Sequence, residues 1–251
     1  MNLKWKTGLI TGGSSGIGYA SAKQLLQNGA EKVIITGQNQ ERLEQARQSL
    51  SEFGNVVALV WKAEDSNSSK LLVDQIQKST DRLDFVFANA GVCWETPVGQ
   101  LDAAEIQRQL MINLTAPMLL VEAVVPLMSN GGSIVLTTSC LNELGIPGYA
   151  AYSASKAGLR SLARTLSAEL MDKKIRVNTI SPGPFETPIH AKYGIEGSAL
   201  DDVKSQVASM VPLKRFGEPA EIVDAVAFLV SDSSSFMLGE EITIDGGWSN
   251  L

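Results

Sequence analysis

The stretch Thr7-Gly8-Leu9-Ile10-Thr11-Gly12-Gly13-Ser14-Ser15-Gly16-Ile17-Gly18 passes from a short apolar run, through a glycine-rich turn, into a helical pattern over residues 18–28. A strand that turns on glycine straight into a helix is the opening half of a βαβ unit, and the helix start it creates carries unpaired N–H groups at its positive dipole end. The remainder of the chain repeats the alternation. Strands are predicted over 7–11, 32–36, 56–60, 85–88, 133–138, 175–180 and 241–244, and helices over 18–28, 41–52, 69–78, 103–128, 152–171 and 219–230. Apolar, β-branched runs separated by segments of helical period predict an α/β fold, a doubly wound parallel sheet of seven strands with helices on both faces.

No linker, repeat or low-complexity segment divides the sequence, so one domain over 1–251 is expected. Residues 186–212 stand outside the alternation, with weak periodicity and glycines at Gly194 and Gly197, and are expected to form a mobile lid with short helices. A net charge of -6 offers no general attraction to nucleic acid or to an anionic membrane. Cys93 and Cys140 lie in apolar segments without a CxxC pattern and read as reduced thiols of a cytoplasmic protein. Met1-Asn2-Leu3-Lys4-Trp5-Lys6 lacks the apolar stretch of a signal peptide, and Glu122 and Pro126 interrupt the longest apolar region, so no membrane span is expected. His190 is the single histidine, which rules out a His metal cluster or a Ser-His-Asp triad within this chain, and no metal site is expected.

Ser139, Tyr152 and Lys156 follow in the spacing Ser-x12-Tyr-x3-Lys. Tyr152 and Lys156 share one face of a predicted helix, where an ammonium beside a phenol stabilises the phenolate and lowers its pKa. The result is a proton donor usable near neutral pH. A Tyr-x3-Lys pair alone is an ordinary helix surface. Joined to the upstream serine and the glycine turn, it points to nicotinamide-dependent carbonyl/alcohol chemistry. The glycine spacing is Gly-x3-Gly-x-Gly, which departs from the common dinucleotide fingerprint.

In these features the chain resembles the short-chain dehydrogenase/reductases in their compact form. The resemblance spans nearly the whole sequence and is carried by Thr11 to Gly18, Asn89-Ala90-Gly91 after the fourth strand, Asn113 in the long helix, Ser139, Tyr152-Ser-Ala-Ser-Lys156, and Ser181-Pro182-Gly183 after the sixth strand. It implies a Rossmann-type sheet with NAD(P)(H) across the carboxyl ends of its strands. Gly12, Ser14, Ser15, Gly16, Ile17 and Gly18 would meet the cofactor's phosphates, Asn89, Ala90 and Gly91 its ribose side, and Pro182, Gly183 and Thr187 its carboxamide. Ser139 would hold the substrate oxygen and Tyr152 would supply the proton. Lys156 would lower the Tyr152 pKa and bond the nicotinamide ribose, and Asn113 would position a water that passes protons to Lys156. Compact members of the family form homotetramers through the long helices and the last strand, where Leu162, Leu166 and Met171 are apolar candidates.

The end of the second strand, Ile34-Ile35-Thr36-Gly37-Gln38-Asn39-Gln40, holds neither the carboxylate that would bind a ribose diol nor an arginine for an added phosphate. With no carboxylate at Gly37 to repel a 2′-phosphate, and with Gln38, Asn39, Ser14 and Arg42 as donors, the reading favours NADP(H), with NAD as the alternative. For Arg42 a solvated helix side chain, with Glu41 and Glu44 nearby, is the favoured reading. Asp65 reads either as an adenine contact or as a helix cap. The substrate walls are expected at 92–95, 140–146, Tyr149 and 185–193, with Trp94, Leu141, Leu144 and Ile146 favouring an apolar substrate portion. Three functions are weighed: a ketone/secondary alcohol oxidoreductase, a 3-oxoacyl carrier-protein reductase whose acidic partner would dock near Arg160, Arg164 and Arg176, and a catalytically silent nucleotide-sensing protein. The intact set Asn113, Ser139, Tyr152 and Lys156 favours the first.

Overall fold

The computed structural model describes residues 3–187 and 197–251. Its elements in chain order are β1 (Thr7–Ile10), α1 (Gly16–Gln27), β2 (Lys32–Gly37), α2 (Gln40–Leu50), β3 (Val56–Val60), α3 (Ser68–Ile76), β4 (Phe85–Ala88), α4 (Ala103–Leu110), α5 (Ala116–Val124), β5 (Gly132–Thr137), α6 (Ala150–Glu169), β6 (Ile175–Pro182), α7 (Ser198–Met210), α8 (Val223–Val230) and β7 (Glu241–Ile244). The strands form one sheet in the order β3-β2-β1-β4-β5-β6-β7, parallel at every pairing. The predicted seven-stranded, doubly wound sheet is the observed one.

Because strand side chains alternate, each apolar strand feeds two cores. Leu9, Ile34, Val86, Ile134 and Val177 face Leu72 of α3, Leu120 of α5 and Leu159 of α6. Ile10, Ile35, Phe87, Val135 and Ile180 face Leu25 of α1, Leu43 of α2 and Leu229 of α8. The strand order reverses between β1 and β4, and a crevice at the carboxyl ends of strands is expected at such a switch point.

The predicted helix over 103–128 is a continuous helical run with a π turn at Met111–Thr115 between α4 and α5. Pro117 explains the wide turn, since it has no N–H to give to the Asn113 carbonyl four residues back and its ring crowds that carbonyl. The run Ala103–Leu127 has the length and composition of a membrane span, but half of its most apolar window is buried inside this fold, as in a core helix.

The 186–212 region differs from expectation. In place of short helices its described part holds one helix of 13 residues, α7, and 188–196 lie outside the described residues.

Candidate active site

Where β1 ends, Thr11 Oγ1 accepts from the backbone N–H groups of both Asn89 and Ala90 at 3.0 Å, and Asn89 Nδ2 donates to the Thr11 carbonyl at 3.1 Å. These bonds lock the two strand ends that flank the switch point. Gly12 and Gly16 take left-handed backbone, with φ of 68° and 54°, which a side chain would resist. A Cβ on Gly18 would lie 2.4 Å from the Gly12 carbonyl oxygen, so α1 packs onto the turn only because Gly18 has none. Ser15 stands at the N-cap of α1 without a side-chain capping bond, and no acidic residue lies in the first turn. The first N–H groups and the positive helix end are therefore left to an anion, and Ser15, Gly16 and Ile17 line the adjoining cleft.

Beyond β4 the chain runs extended and is held at every second residue. Asn113 Oδ1 accepts from the Val92 N–H at 2.9 Å while its Nδ2 donates to the Val92 carbonyl at 2.8 Å. Gln109, wholly buried, does the same for Trp94, accepting at 2.7 Å and donating at 3.3 Å. The Thr96 N–H donates to the Gly148 carbonyl at 2.6 Å, and Thr96 Oγ1 accepts from the Ala151 N–H at 3.1 Å. Cys93 and Glu95, on the intervening positions, line the cleft. Asn113 Nδ2 also donates to Ser155 Oγ at 3.2 Å, and Ser155 Oγ donates to the Tyr152 carbonyl at 2.6 Å. Both amide hydrogens of Asn113 are thus committed, and its side chain ties the strand-end segment to α6.

Tyr152 and Lys156 lie on the same face of α6. Lys156 is buried, its Nζ donating to the Thr137 carbonyl at 2.8 Å and standing 5.7 Å from the centroid of the Tyr152 ring. A Cβ on Gly91 would lie 3.1 Å from Asn113 Oδ1 and in ordinary contact with that Nζ, so glycine there makes room for the Asn113 amide. Burial pushes the Lys156 ammonium down to about 8, with the nearby Cys93 acting weakly in the other direction. Ser139 follows β5 in extended backbone, its Oγ accepting from the Leu141 N–H at 3.3 Å. The residues around it are braced from β7, because Glu241 Oε1 accepts from Thr138 Oγ1 at 2.6 Å and from Asn142 Nδ2 at 2.9 Å. Arg160, one turn beyond Lys156 on α6, pairs with the other oxygen of Glu241 at 3.2 Å.

One cleft of about 560 Å³ brings together Gly12, Ser15, Gly16, Ile17, Asn89, Ala90, Gly91, Ser139, Tyr152, Lys156, Pro182, Gly183 and Thr187. Thr137 Oγ1, buried at its wall, has no hydrogen-bond partner among the described residues. A dinucleotide fits these residues: an open helix start for its phosphates, an orphaned hydroxyl and a buried ammonium for its polar rim.

Other expected residues stand elsewhere. Gly18 serves packing, and Asn113 lies behind the cleft wall. Ser14 adjoins Gly37, where a Cβ would meet its Oγ at 3.1 Å. Asn39 Oδ1 accepts from the Arg42 N–H at 2.8 Å, capping α2, and neither Gln38 nor Asn39 lines the cleft. The Arg42 side chain is exposed, and Asp65 Oδ1 accepts from the Asn67 N–H at 2.9 Å in the turn before α3. His190 lies outside the described residues. Of the three apolar candidates for a tetramer contact, Leu162 and Leu166 are half-buried against the core and Met171 is exposed. Arg160 is paired internally, and Arg176 donates to the Leu229 and Ser231 carbonyls and to Ser234 Oγ, so two of the three cations suggested for an acidic partner turn inward.

Sequence reading missed Thr11, Gln109, Glu241 and Trp248. It also missed the face Val203, Val207 and Met210 of α7, although the spacing of those three is helical and they line the cleft with Trp248.

A family model described as Enoyl-(Acyl carrier protein) reductase matches residues 12–249. The chain is 36% identical to "Oxidoreductase asL5" of Sarocladium schorii over 99% of this chain and 98% of that one. It is also 33% identical to "3-oxoacyl-[acyl-carrier-protein] reductase FabG" of Thermotoga maritima over 98% of this chain and 99% of that one. The chain belongs to the short-chain dehydrogenase/reductase family. As a short-chain dehydrogenase/reductase it is an NAD(P)-dependent oxidoreductase acting on CH–OH groups. Among solved structures of the family, "Pseudomonas aeruginosa RhlG/NADP active-site complex" superposes with a TM-score of 0.90 at 27% identity, covering 99% of this chain and 98% of that one.

Proposed function

We propose that this enzyme reduces a ketone with NADPH, Tyr152 being the proton donor, and the observation that carries the assignment is Lys156. A lysine buried to this degree, beside the Tyr152 ring and hydrogen-bonded to a strand-end carbonyl, is costly for folding and is kept where its charge acts on a neighbour. The cofactor supplies the hydride. As negative charge grows on the substrate oxygen, Ser139 holds that oxygen by a hydrogen bond and Tyr152 delivers the proton. Lys156 lowers the cost of the phenolate that remains. Ser15, Gly16 and Ile17 would hold the cofactor's phosphates at the start of α1, and Pro182, Gly183 and Thr187 would hold its carboxamide end.

The preference for NADPH is supported by the uncharged end of β2, where Gly37 and Ser14 leave no carboxylate against a 2′-phosphate, and by the likeness to Pseudomonas aeruginosa RhlG, whose structure is a complex with NADP. Steady-state kinetics with both cofactors over a panel of ketones tests the assignment. A kcat/KM tenfold or more higher with NADH, about 1.4 kcal/mol, refutes the preference.

A 3-oxoacyl carrier-protein reductase is the second reading, favoured by the Thermotoga maritima relative, and an acyl carrier-protein substrate in the same panel decides it. We infer a cytoplasmic homotetramer. Edge strand β7 and the fully exposed Phe236 and half-exposed Leu238 just before it support the assembly. A stable monomer by sedimentation at micromolar concentration would sink that part.

A further inference from the structure

Among the described residues that line the cleft, two carry charge: Lys156, buried and engaged with Thr137, and Glu95, exposed. Glu95 is held there by the backbone bonds at Val92, Trp94 and Thr96, so its place in the cleft is set by the fold. Tyr149 O–H donates to Glu95 Oε1 at 3.3 Å. Burial, with help from the neighbouring Cys93 and Glu95, pushes the Tyr149 phenol up to about 12, so it remains a neutral donor to Glu95. The rest of the lining is largely apolar, with Leu141, Ile146, Val203, Val207, Met210 and Trp248.

A carboxylate at the edge of an apolar cleft does two things. It repels a second anion brought close to it, and it rewards a hydrogen-bond donor more than a neutral acceptor would. Resting on the ketone reductase reading above, we propose that Glu95 selects the substrate class: an apolar ketone carrying a second group that donates a hydrogen bond, a hydroxyl or an ammonium, with oxo acids rejected. Tyr149 orients the carboxylate and leaves its other lone pairs for the substrate.

Three ketones on one ring test this, namely 4-hydroxycyclohexanone, cyclohexanone and 4-oxocyclohexanecarboxylate, each assayed with NADPH and NADH. The wild-type enzyme should rank them in that order by kcat/KM, with about tenfold between the first two, as expected for a hydrogen bond to a charged group. Glu95→Gln should narrow the gap between the hydroxyketone and cyclohexanone, and Glu95→Lys should bring the oxo acid to first place. NADPH binding, read by fluorescence, separates these outcomes from misfolding, which would remove binding and all three activities together. A wild-type enzyme that treats the three alike or prefers the oxo acid overturns the inference, as does a Glu95→Lys protein that binds NADPH and keeps the wild-type ranking. If cyclohexanone is reduced and the ranking is absent, only the role of Glu95 falls. If no ketone is reduced with either cofactor, the reductase reading itself fails and takes this inference with it.

Discussion

Gln109 stands four residues before Asn113, and its carboxamide holds Trp94 as that of Asn113 holds Val92, each accepting from the backbone N–H and donating to the carbonyl of its residue. The two side chains act as a substitute strand edge for a segment that has no strand partner. Gln109 does not line the cleft, yet Gln109→Ala removes the partner of the part-buried N–H and C=O of Trp94. We expect a loss of about 1–3 kcal/mol in stability for the unpaired groups. A fall in kcat/KM through displacement of Cys93 and Glu95 should accompany it. Thermal unfolding and ketone kinetics check both, and a variant with wild-type melting and turnover would show that the clasp at Asn113 suffices.

Two tyrosines three residues apart border the cleft, and only one stands beside Lys156. Tyr152→Phe keeps the ring and removes the proton, so turnover should fall by about 10²–10⁴ while NADPH still binds. Tyr149→Phe should leave far more of the turnover, because its phenol sits at about 12 against Glu95 and does not serve as the acid. Equal losses in the two variants would contradict the assignment.

Lys156 gives a pH signature in the protein without cofactor. Its folded value, about 8, lies below the ordinary 10.5, so between those limits the unfolded chain binds more protons than the folded one, and stability rises with pH across that window. The cost of the buried ammonium is full below about pH 8 and relieved toward 10.5, and it amounts to at most about 3 kcal/mol. Lys156→Met, which removes the ammonium, should therefore melt higher than wild type at pH 7, with the difference shrinking between pH 8 and 10.5. Part of the gain is offset by the Thr137 carbonyl losing its donor. Melting curves of both proteins across this range measure it, and a difference that does not change with pH would disprove the assigned cause.

At the end of β2, Gly37 and Gln38 should switch cofactor preference in opposite directions. A Cβ at Gly37 would meet Ser14 Oγ at 3.1 Å, a flexible neighbour that can turn aside, so Gly37→Asp should fold and favour NADH by repelling a 2′-phosphate. Gln38→Arg should favour NADPH through a charge-assisted bond. The ratio of kcat/KM for the two cofactors, measured in each variant, should move to either side of wild type. Movement in the same direction would mean that the phosphate lies elsewhere.

The sheet was legible because Thr7 to Ile10, Phe85 to Ala88 and the other strands are short apolar runs buried on both faces, and nothing but a strand of a covered parallel sheet suits such runs between helical segments. The glycine turn and the Tyr-x3-Lys pair were legible for the same reason, since their chemistry depends on local spacing. What escaped depends on contacts distant in sequence. Gln109 looks like any helix glutamine until the segment around Trp94 folds over it, and Glu241 looks like a surface carboxylate until Thr138 and Asn142 arrive a hundred residues away in sequence. The α7 face was missed although Val203, Val207 and Met210 keep a helical period, because Gly194 and Gly197 just ahead of the helix read as loop.

The alternation at residues 92–96 has an evolutionary reading. Side chains of Asn113 and Gln109 grip the backbone of Val92 and Trp94, Thr96 bonds the backbone of Gly148 and Ala151, and Val92, Cys93 and Glu95 line the cleft. Between Trp94 and Glu95, the hold on the scaffold and the approach to the cleft thereby fall on neighbouring positions of one short peptide. Drift at the exposed position 95 can change what the cleft meets at little risk to folding, and a single-residue insertion, which would carry position 94 into the place of 95, is the change such a lineage is least able to accept.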